Sequence, residues 1–154
     1  MDQTDRRILA LLQEDGSLSV QDLARRLDLP PTSCWRRVRS MEETGVLRKR
    51  VALVDPESVG LGMVAFVFVR TNQHEPAWLK RFAEAVATMP EILETHRLSG
   101  ETDYLIKAAV KDMKGYDAFY KRLISAVPLY DVSTSFSMEC IKETTALPLL
   151  TSPG

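Results

Sequence analysis

Apolar residues recur at helical spacing over the first forty positions, and the pattern changes to strand-like runs beyond residue 60. Ile8, Leu9, Leu11 and Leu12 form one side of a helix expected over Gln3–Glu14. Asp2 is placed to cap it, Asp5 lies near the positive end of its dipole, and Gly16 suits a left-handed exit. Val20, Leu23, Ala24 and Leu27 predict a second helix between Ser19 and Leu29, with Ser19 as cap and Asp22 as the capping-box acid. After a tight break at Asp28-Leu29-Pro30, Val38 and Met41 mark the inner seam of a third helix that opens at Pro31 and ends at Gly45. The second helix should pack on the first and on Val38. A short amphipathic helix, a sharp turn and a basic helix form the helix-turn-helix pattern, whose second helix reads the DNA major groove.

Val46 to Val54 alternates loosely, with Arg48 and Arg50 on one side and Leu47, Val51 and Leu53 on the other. It predicts a half-buried connector strand. Its Arg48-Lys49-Arg50 triplet has two readings, contact with phosphates or a charged edge that blocks strand pairing. Asp55-Pro56 and Gly60/Gly62 punctuate the boundary. Beyond it Met63–Val69 reads as a buried strand. A helix opens at Pro76, carries Trp78, Leu79, Phe82, Val86 and Met89, and closes at Pro90. Ile92–Leu98 and Tyr104–Val110 are strands joined through Ser99–Asp103. Asp112 caps a last helix bearing Tyr116, Phe119, Tyr120, Leu123, Ile124 and Val127, ended by Pro128. Val132–Ile141 is a fourth strand, with Thr134, Phe136, Met138 and Cys140 on one side.

Strand, helix, strand, strand, helix, strand is the ferredoxin-like βαββαβ order, so the fold class is α+β: a helix-turn-helix followed by this sheet domain. Two helices cover one sheet face only. Phe66, Phe68 and the strand-four apolar set exceed what they can bury, and a second copy of the sheet is the simplest cover, which implies a homodimer. The boundaries are 1–45 for the helix-turn-helix, 46–61 for the connector and 62–154 for the βαββαβ domain, through which two copies would pair.

Charge sharpens this division. The formal net charge is −1, yet Arg25–Arg50 carries eight basic and three acidic residues, while Asp55 to the end carries ten and thirteen. Only the first third is suited to a polyanion. Cys34 and Cys140 lack metal-ligand spacing and read as reduced thiols of a cytoplasmic protein, Cys34 packed among the helices and Cys140 on a strand. No secretion signal is expected. The longest apolar run, Met63–Val69, is far too short to span a membrane. Thr151–Gly154 is expected to fray.

Arg36, Arg37 and Arg39 stand beside Trp35, and the planar guanidinium fork suits guanine edges and phosphates. Arg36 and Arg37 are the leading candidates for DNA contact. Trp35 has two roles open to it, base contact or stacking on helix neighbours. In Gly100-Glu101-Thr102-Asp103-Tyr104 a carboxylate stands beside a glycine that permits close backbone approach. By itself this stretch reads first as a plain hairpin turn. His74 and His96 read as structural histidines, His96 just before that loop, and Tyr116, Phe119 and Tyr120 as core. No nucleophile–base pair, phosphate loop or metal cluster appears, so no enzyme, catalytic residue or metal site is expected. Ferredoxin-like sheets do host catalysts, so an enzyme stays an alternative class, as does a ligand sensor with little DNA specificity.

The stretches TDRRILALLQEDGSLSVQDLARRL, CWRRVRSMEETGVLRKRVALVDP, SGETDYLIKAAV and TSFSMECIKETTALPL cover nearly the whole chain in order, and together they resemble the Lrp/AsnC, or feast/famine, transcriptional regulators. The resemblance implies an N-terminal winged or near-winged helix-turn-helix that binds double-stranded DNA at a near-palindromic site. It also implies a C-terminal domain that dimerises, binds an amino acid and often assembles to octamers. It places Thr32, Ser33, Trp35, Arg36, Arg37 and Arg39 on the DNA-facing helix. It places Ser99, Gly100, Glu101, Thr102, Asp103 and Tyr104 in the effector loop, with Thr134 and Ser135 near the pocket. No cofactor is implied other than an amino-acid effector; RVALVDP and TTALPL resemble a subgroup that includes cysteine-responsive members, and leucine or another amino acid stays open. The expected setting is cytoplasmic, at the bacterial or archaeal nucleoid. Pro30 stands where the family usually has a Ser or Thr cap, so the start of the recognition helix is open by a residue or two.

Overall fold

The computed structural model describes residues 1–149; the tail expected to fray lies outside them. The chain forms two compact units, one made of Met1–Leu53 with the segment from Lys142, the other of Val54–Ile141.

The first unit holds α1 (Gln3–Glu14), α2 (Val20–Leu27) and α3 (Pro31–Glu43). Both early caps form as full capping boxes: Asp2 with Asp5, and Ser19 with Asp22. Each satisfies amide groups that a helix start leaves without partners. The exit of α1 differs from expectation, because Gly16 is not left-handed; the left-handed residues are Asp28, at φ 54°, in the turn before α3, and Gly45, at φ 73°, after it. Pro31 occupies the first turn of α3, Pro30 stands at the cap, and no side chain caps the helix. Ile8, Leu9, Leu12, Leu23, Ala24, Leu27, Cys34, Val38 and Met41 form one core, with Leu11 and Val20 partly buried against it. Burial raises the pKa of the Cys34 thiol.

Two expectations fail here. Val46–Val54 forms no strand, and only Leu47 of it packs on the helical core. Its side chains alternate in sequence, but among the described residues no neighbouring strand accepts its backbone. The segment from Lys142 groups with the helices, not with the sheet domain to which 62–154 was assigned. Gln13 holds it with two bonds, Nε2 donating to Leu147 O at 3.1 Å and Oε1 accepting from Leu147 N at 2.7 Å, and Leu149 packs on the helical core.

The second unit is one antiparallel sheet in the order β2 (Ile92–Arg97), β3 (Tyr104–Val110), β1 (Met63–Arg70), β4 (Asp131–Phe136), with α4 (Pro76–Ala87) and α5 (Met113–Ala126). This is the ferredoxin-like order. Ala65, Val67 and Val69 of β1 and Tyr104, Ile106, Ala108 and Val110 of β3 face the helices and are buried with Trp78, Phe82, Phe119 and Leu123. Trp78 stacks on Phe82 at 5.1 Å and its Nε1–H donates to Pro128 O at 2.9 Å.

β4 ends at Phe136, short of the expected Ile141, and Met138 and Cys140 are exposed beyond it. Its apolar side is also used differently. Thr134 and Phe136 face the helices: the Thr134 hydroxyl meets the Tyr116 hydroxyl at 2.5 Å, and Phe136 packs edge-on to the Tyr116 ring at 4.9 Å. The opposite sheet face keeps half-buried Phe66 and Phe68, with Leu105, Lys107, Ser133 and Ser135 across the register. Neither helix of the unit covers that face.

Candidate nucleic-acid interface and ligand loop

The outer surface of α3 follows from helix phase. Cys34, Val38 and Met41 turn inward, so Thr32, Trp35, Arg36 and Arg39, at spacings of three and four, share the exposed side. Arg36 is exposed and makes no hydrogen bond or ion pair to any described residue. Arg39 lays its guanidinium over the Trp35 ring at 5.1 Å and donates from Nε to Glu43 at 2.7 Å. Trp35 therefore has a stacking partner, yet stays half exposed. A hollow of about 650 Å3 beside it is lined by Val20, Gln21, Pro31, Thr32, Trp35 and Arg36. Apolar walls next to an unpaired guanidinium suit a base edge in a groove. Ser33 is partly buried on the flank of the helix.

Arg37 is placed elsewhere. Its Nη1 donates to Asp2 Oδ2 and Asp5 Oδ1, both at 2.7 Å, at the start of α1. Sequence reasoning saw Asp2 and Asp5 only as caps, and no local signal links them to a residue more than thirty positions away. In the connector, Arg50 pairs with Glu42 at 3.3 Å, while Arg48 and Lys49 are exposed without described partners.

In the second unit, the loop Ser99–Asp103 joins β2 to β3. Gly100 has φ 121°, which only glycine adopts without strain. Leu98 N–H donates to Asp103 O at 2.8 Å, and Asp103 N–H donates to Val69 O at 3.0 Å. Asp103 Oδ2 accepts from Thr71 N–H at 2.8 Å, a partner that sequence reasoning missed. The amides of Ser99, Gly100, Glu101 and Thr102 donate to no described residue, so these N–H groups remain available in the loop that Asp103 closes.

Tyr104 of the loop and the two strand residues expected near it, Thr134 and Ser135, are not brought together there. The Tyr104 ring is buried against Phe82 at 4.6 Å, inside the core. Thr134 turns to the helices and Ser135 to the opposite sheet face, and register sets Val132, not Thr134, opposite Val69 at the loop end. His96 pairs with Glu94 at 3.0 Å, and Lys107 reaches the same carboxylate at 3.5 Å. Glu94 titrates below the usual carboxylate range, chiefly through its bond to His96. No cluster of metal-binding side chains occurs among the described residues, and no helix there is long and apolar enough to cross a membrane.

Residues 64–147 match the model of the Lrp/AsnC ligand binding domain, and residues 1–48 match that of a winged helix-turn-helix DNA-binding domain. The chain belongs to the Lrp/AsnC family. A relative in Escherichia coli strain K12, the DNA-binding transcriptional activator DecR, is 51% identical over 97% of this chain and 99% of its own. The crystal structure of an AsnC family transcriptional regulator from Agrobacterium tumefaciens superposes with a TM-score of 0.93 at 52% identity, covering 97% of both chains. A Neisseria meningitidis transcriptional regulator solved in complex with L-Met gives 0.91 at 40% identity, also covering 97% of both. This Lrp/AsnC protein is thus a DNA-binding transcriptional regulator with a ligand-binding sheet domain. The wing in the matching model has no counterpart strand between α3 and β1 among the described residues.

Proposed function

We propose that this Lrp/AsnC regulator binds a near-palindromic DNA site as a homodimer, through Thr32, Trp35, Arg36 and Arg39, and does so in response to a free amino acid held at the Ser99–Asp103 loop. The carrying observation is the exposed side of α3, where Arg36 stands unpaired beside an apolar hollow. A two-fold dimer sets two such helices about 34 Å apart, one turn of DNA, which is why the site is near-palindromic. The half-buried Phe66 and Phe68 favour packing of two sheets as the dimer contact. Further assembly to octamers fits the family. Work on chromosomal DNA places the protein in the cytoplasm, at the nucleoid. The reading assigns it no catalytic step, metal or cofactor.

Arg36→Ala is expected to weaken binding to the selected DNA site by more than about 1 kcal/mol and to lower the salt slope by about one. A gel-shift titration over a salt series measures both, and unchanged affinity would remove Arg36 from the interface.

An amino acid offers an ammonium and a carboxylate. Asp103 suits the ammonium through Oδ1, since Oδ2 is engaged by Thr71, and the loop amides around Gly100 suit the carboxylate. The L-Met complex of the Neisseria regulator supports a ligand of this class, and cysteine and leucine are the first to test here. In a thermal-shift screen of the twenty amino acids, the effector should raise the melting temperature, because it binds the native state only. Asp103→Asn keeps an acceptor for Thr71 and removes the charge. It should stay folded and lose that shift; a normal calorimetric titration of this variant would take Asp103 out of the site.

A further inference from the structure

The three arginines of α3 are close in sequence but not equivalent in space. Arg36 and Arg39 lie on the exposed side, whereas Arg37 follows Cys34 by three positions and precedes Met41 by four, on the margin of the buried seam. Its side chain is 27% exposed against 58% for Arg39. Two carboxylates converge on its Nη1, from Asp2 and Asp5, each at 2.7 Å.

Those carboxylates are themselves held. Asp2 Oδ1 accepts from Asp5 N–H at 2.9 Å and Asp5 Oδ2 accepts from Asp2 N–H at 2.8 Å, the reciprocal capping box of α1. Each acid thus uses one oxygen to cap α1 and the other to hold Arg37. The cap is rigid because it is doubly bonded, so the guanidinium is fixed relative to α1. Its Nε is buried without a partner, so the side chain is not spread toward solvent to collect bonds. Two negative charges face one positive charge, leaving the cluster unsuited to a phosphate. Asp5 and Asp2, in that order, raise the Arg37 pKa, and Asp2 is lowered first by the Asp5 amide and then by Arg37.

We infer that Arg37 is a positioning residue for DNA recognition: it ties the recognition helix to the capped start of α1 and fixes how the Arg36 side of α3 is presented, without contacting DNA. This rests on the proposed DNA reading. It assigns to Asp2 and Asp5, which lie more than thirty positions from Arg37 in the chain and carry the wrong charge for DNA, a share in DNA affinity.

The test uses the full-length chain and a DNA site that the wild type selects from a random pool, at a temperature where circular dichroism shows every variant folded. Four chains are compared with wild type: Arg36→Ala, Arg37→Ala, the double variant Asp2→Asn/Asp5→Asn, and that pair combined with Arg37→Ala. Asparagine retains an acceptor oxygen for each capping amide, so α1 keeps its cap. Removing a phosphate contact reduces the slope of log affinity against log salt by about one, and removing a base-edge contact relaxes the selected base at one position, whereas losing a positioning residue lowers affinity and leaves both in place. The expected result is a loss of slope or of base preference for Arg36→Ala only. Arg37→Ala and the Asp pair should each weaken binding about tenfold at unchanged slope, and the triple variant should be no weaker than Arg37→Ala, because the three residues act as one unit. Tighter binding by the Asp pair, a slope loss in Arg37→Ala, or wild-type affinity in Arg37→Ala would each overturn the inference. If the wild type selects no sequence, the DNA reading itself falls, and the role given to Arg37 falls with it; the wild-type and Arg36→Ala arms distinguish that failure from the others.

Discussion

Trp78→Ala is expected to destabilise the sheet unit by about 3–5 kcal/mol, the cost typical of deleting a buried aromatic side chain. Trp78 is 1% exposed and sits at the centre of the α4 contact with the sheet. It stacks on Phe82 at 5.1 Å with the ring planes 8° apart, and lies 5.9 Å from the tilted Tyr104 ring. Its removal leaves a cavity that the aromatic neighbours cannot close, and it leaves Pro128 O without its indole donor. A domain is typically stable by only about 5–15 kcal/mol, so a large share of the margin disappears. Since Tyr104 opens β3 directly after the candidate effector loop, loss of packing here should also abolish the amino-acid thermal shift. Urea unfolding followed by circular dichroism measures the first effect. A loss below about 1 kcal/mol would mean that the site repacks, contrary to the geometry.

Leu23→Ala should be comparably severe, about 2–5 kcal/mol, but confined to the helical unit. Leu23 is fully buried and shares one core with Ile8 of α1 and Val38 of α3. That core is small, and a small unit buries little apolar surface to offset chain entropy, so one cavity is a large fraction of its stability. The expected outcome is loss of DNA binding with retention of the amino-acid thermal shift, because the sheet unit has its own core. Two compact units also mean that unfolding need not be all-or-none, so the two readouts should be followed separately. The amino-acid thermal shift reports the sheet unit, and gel shift reports the helical one. Joint loss of both activities would show that the units are stabilised as one.

The elements were legible because their signals are local. Capping boxes need residues three apart, and helix phase needs residues three and four apart; Asp2, Ser19, Asp112 and the apolar stripes of all five helices were therefore readable in the sequence. β3 runs over Tyr104–Val110 as expected, since alternation and turn residues bound it on both sides. The ferredoxin-like order followed from the succession of elements. The outward side of α3 was also readable, because it is what remains once Cys34, Val38 and Met41 are turned inward.

Other features depended on where distant segments come to lie. Val46–Val54 has a strand-like pattern, but a strand exists only where a neighbour takes its backbone hydrogen bonds, and the described residues supply none. Thr134 and Ser135 are adjacent in sequence, yet the sheet turns them to opposite faces, and only register shows that Val132 lies at the loop end. The segment from Lys142 follows β4 in the chain, but Gln13 and the helical core hold it. Arg37 gives the plainest case. Its charge and its neighbours marked it for DNA, and composition cannot distinguish it from Arg36. Asp2 and Asp5 reach it across more than thirty residues, along a path set by the packing of α1 on α3. The sequence by itself therefore determined the helices, most of the sheet and the chemical kinds of residue on α3, since each depends on near neighbours. Which arginine is tied to the start of α1 was decided by tertiary structure alone, because an ion pair depends on distance in space and not on separation along the chain.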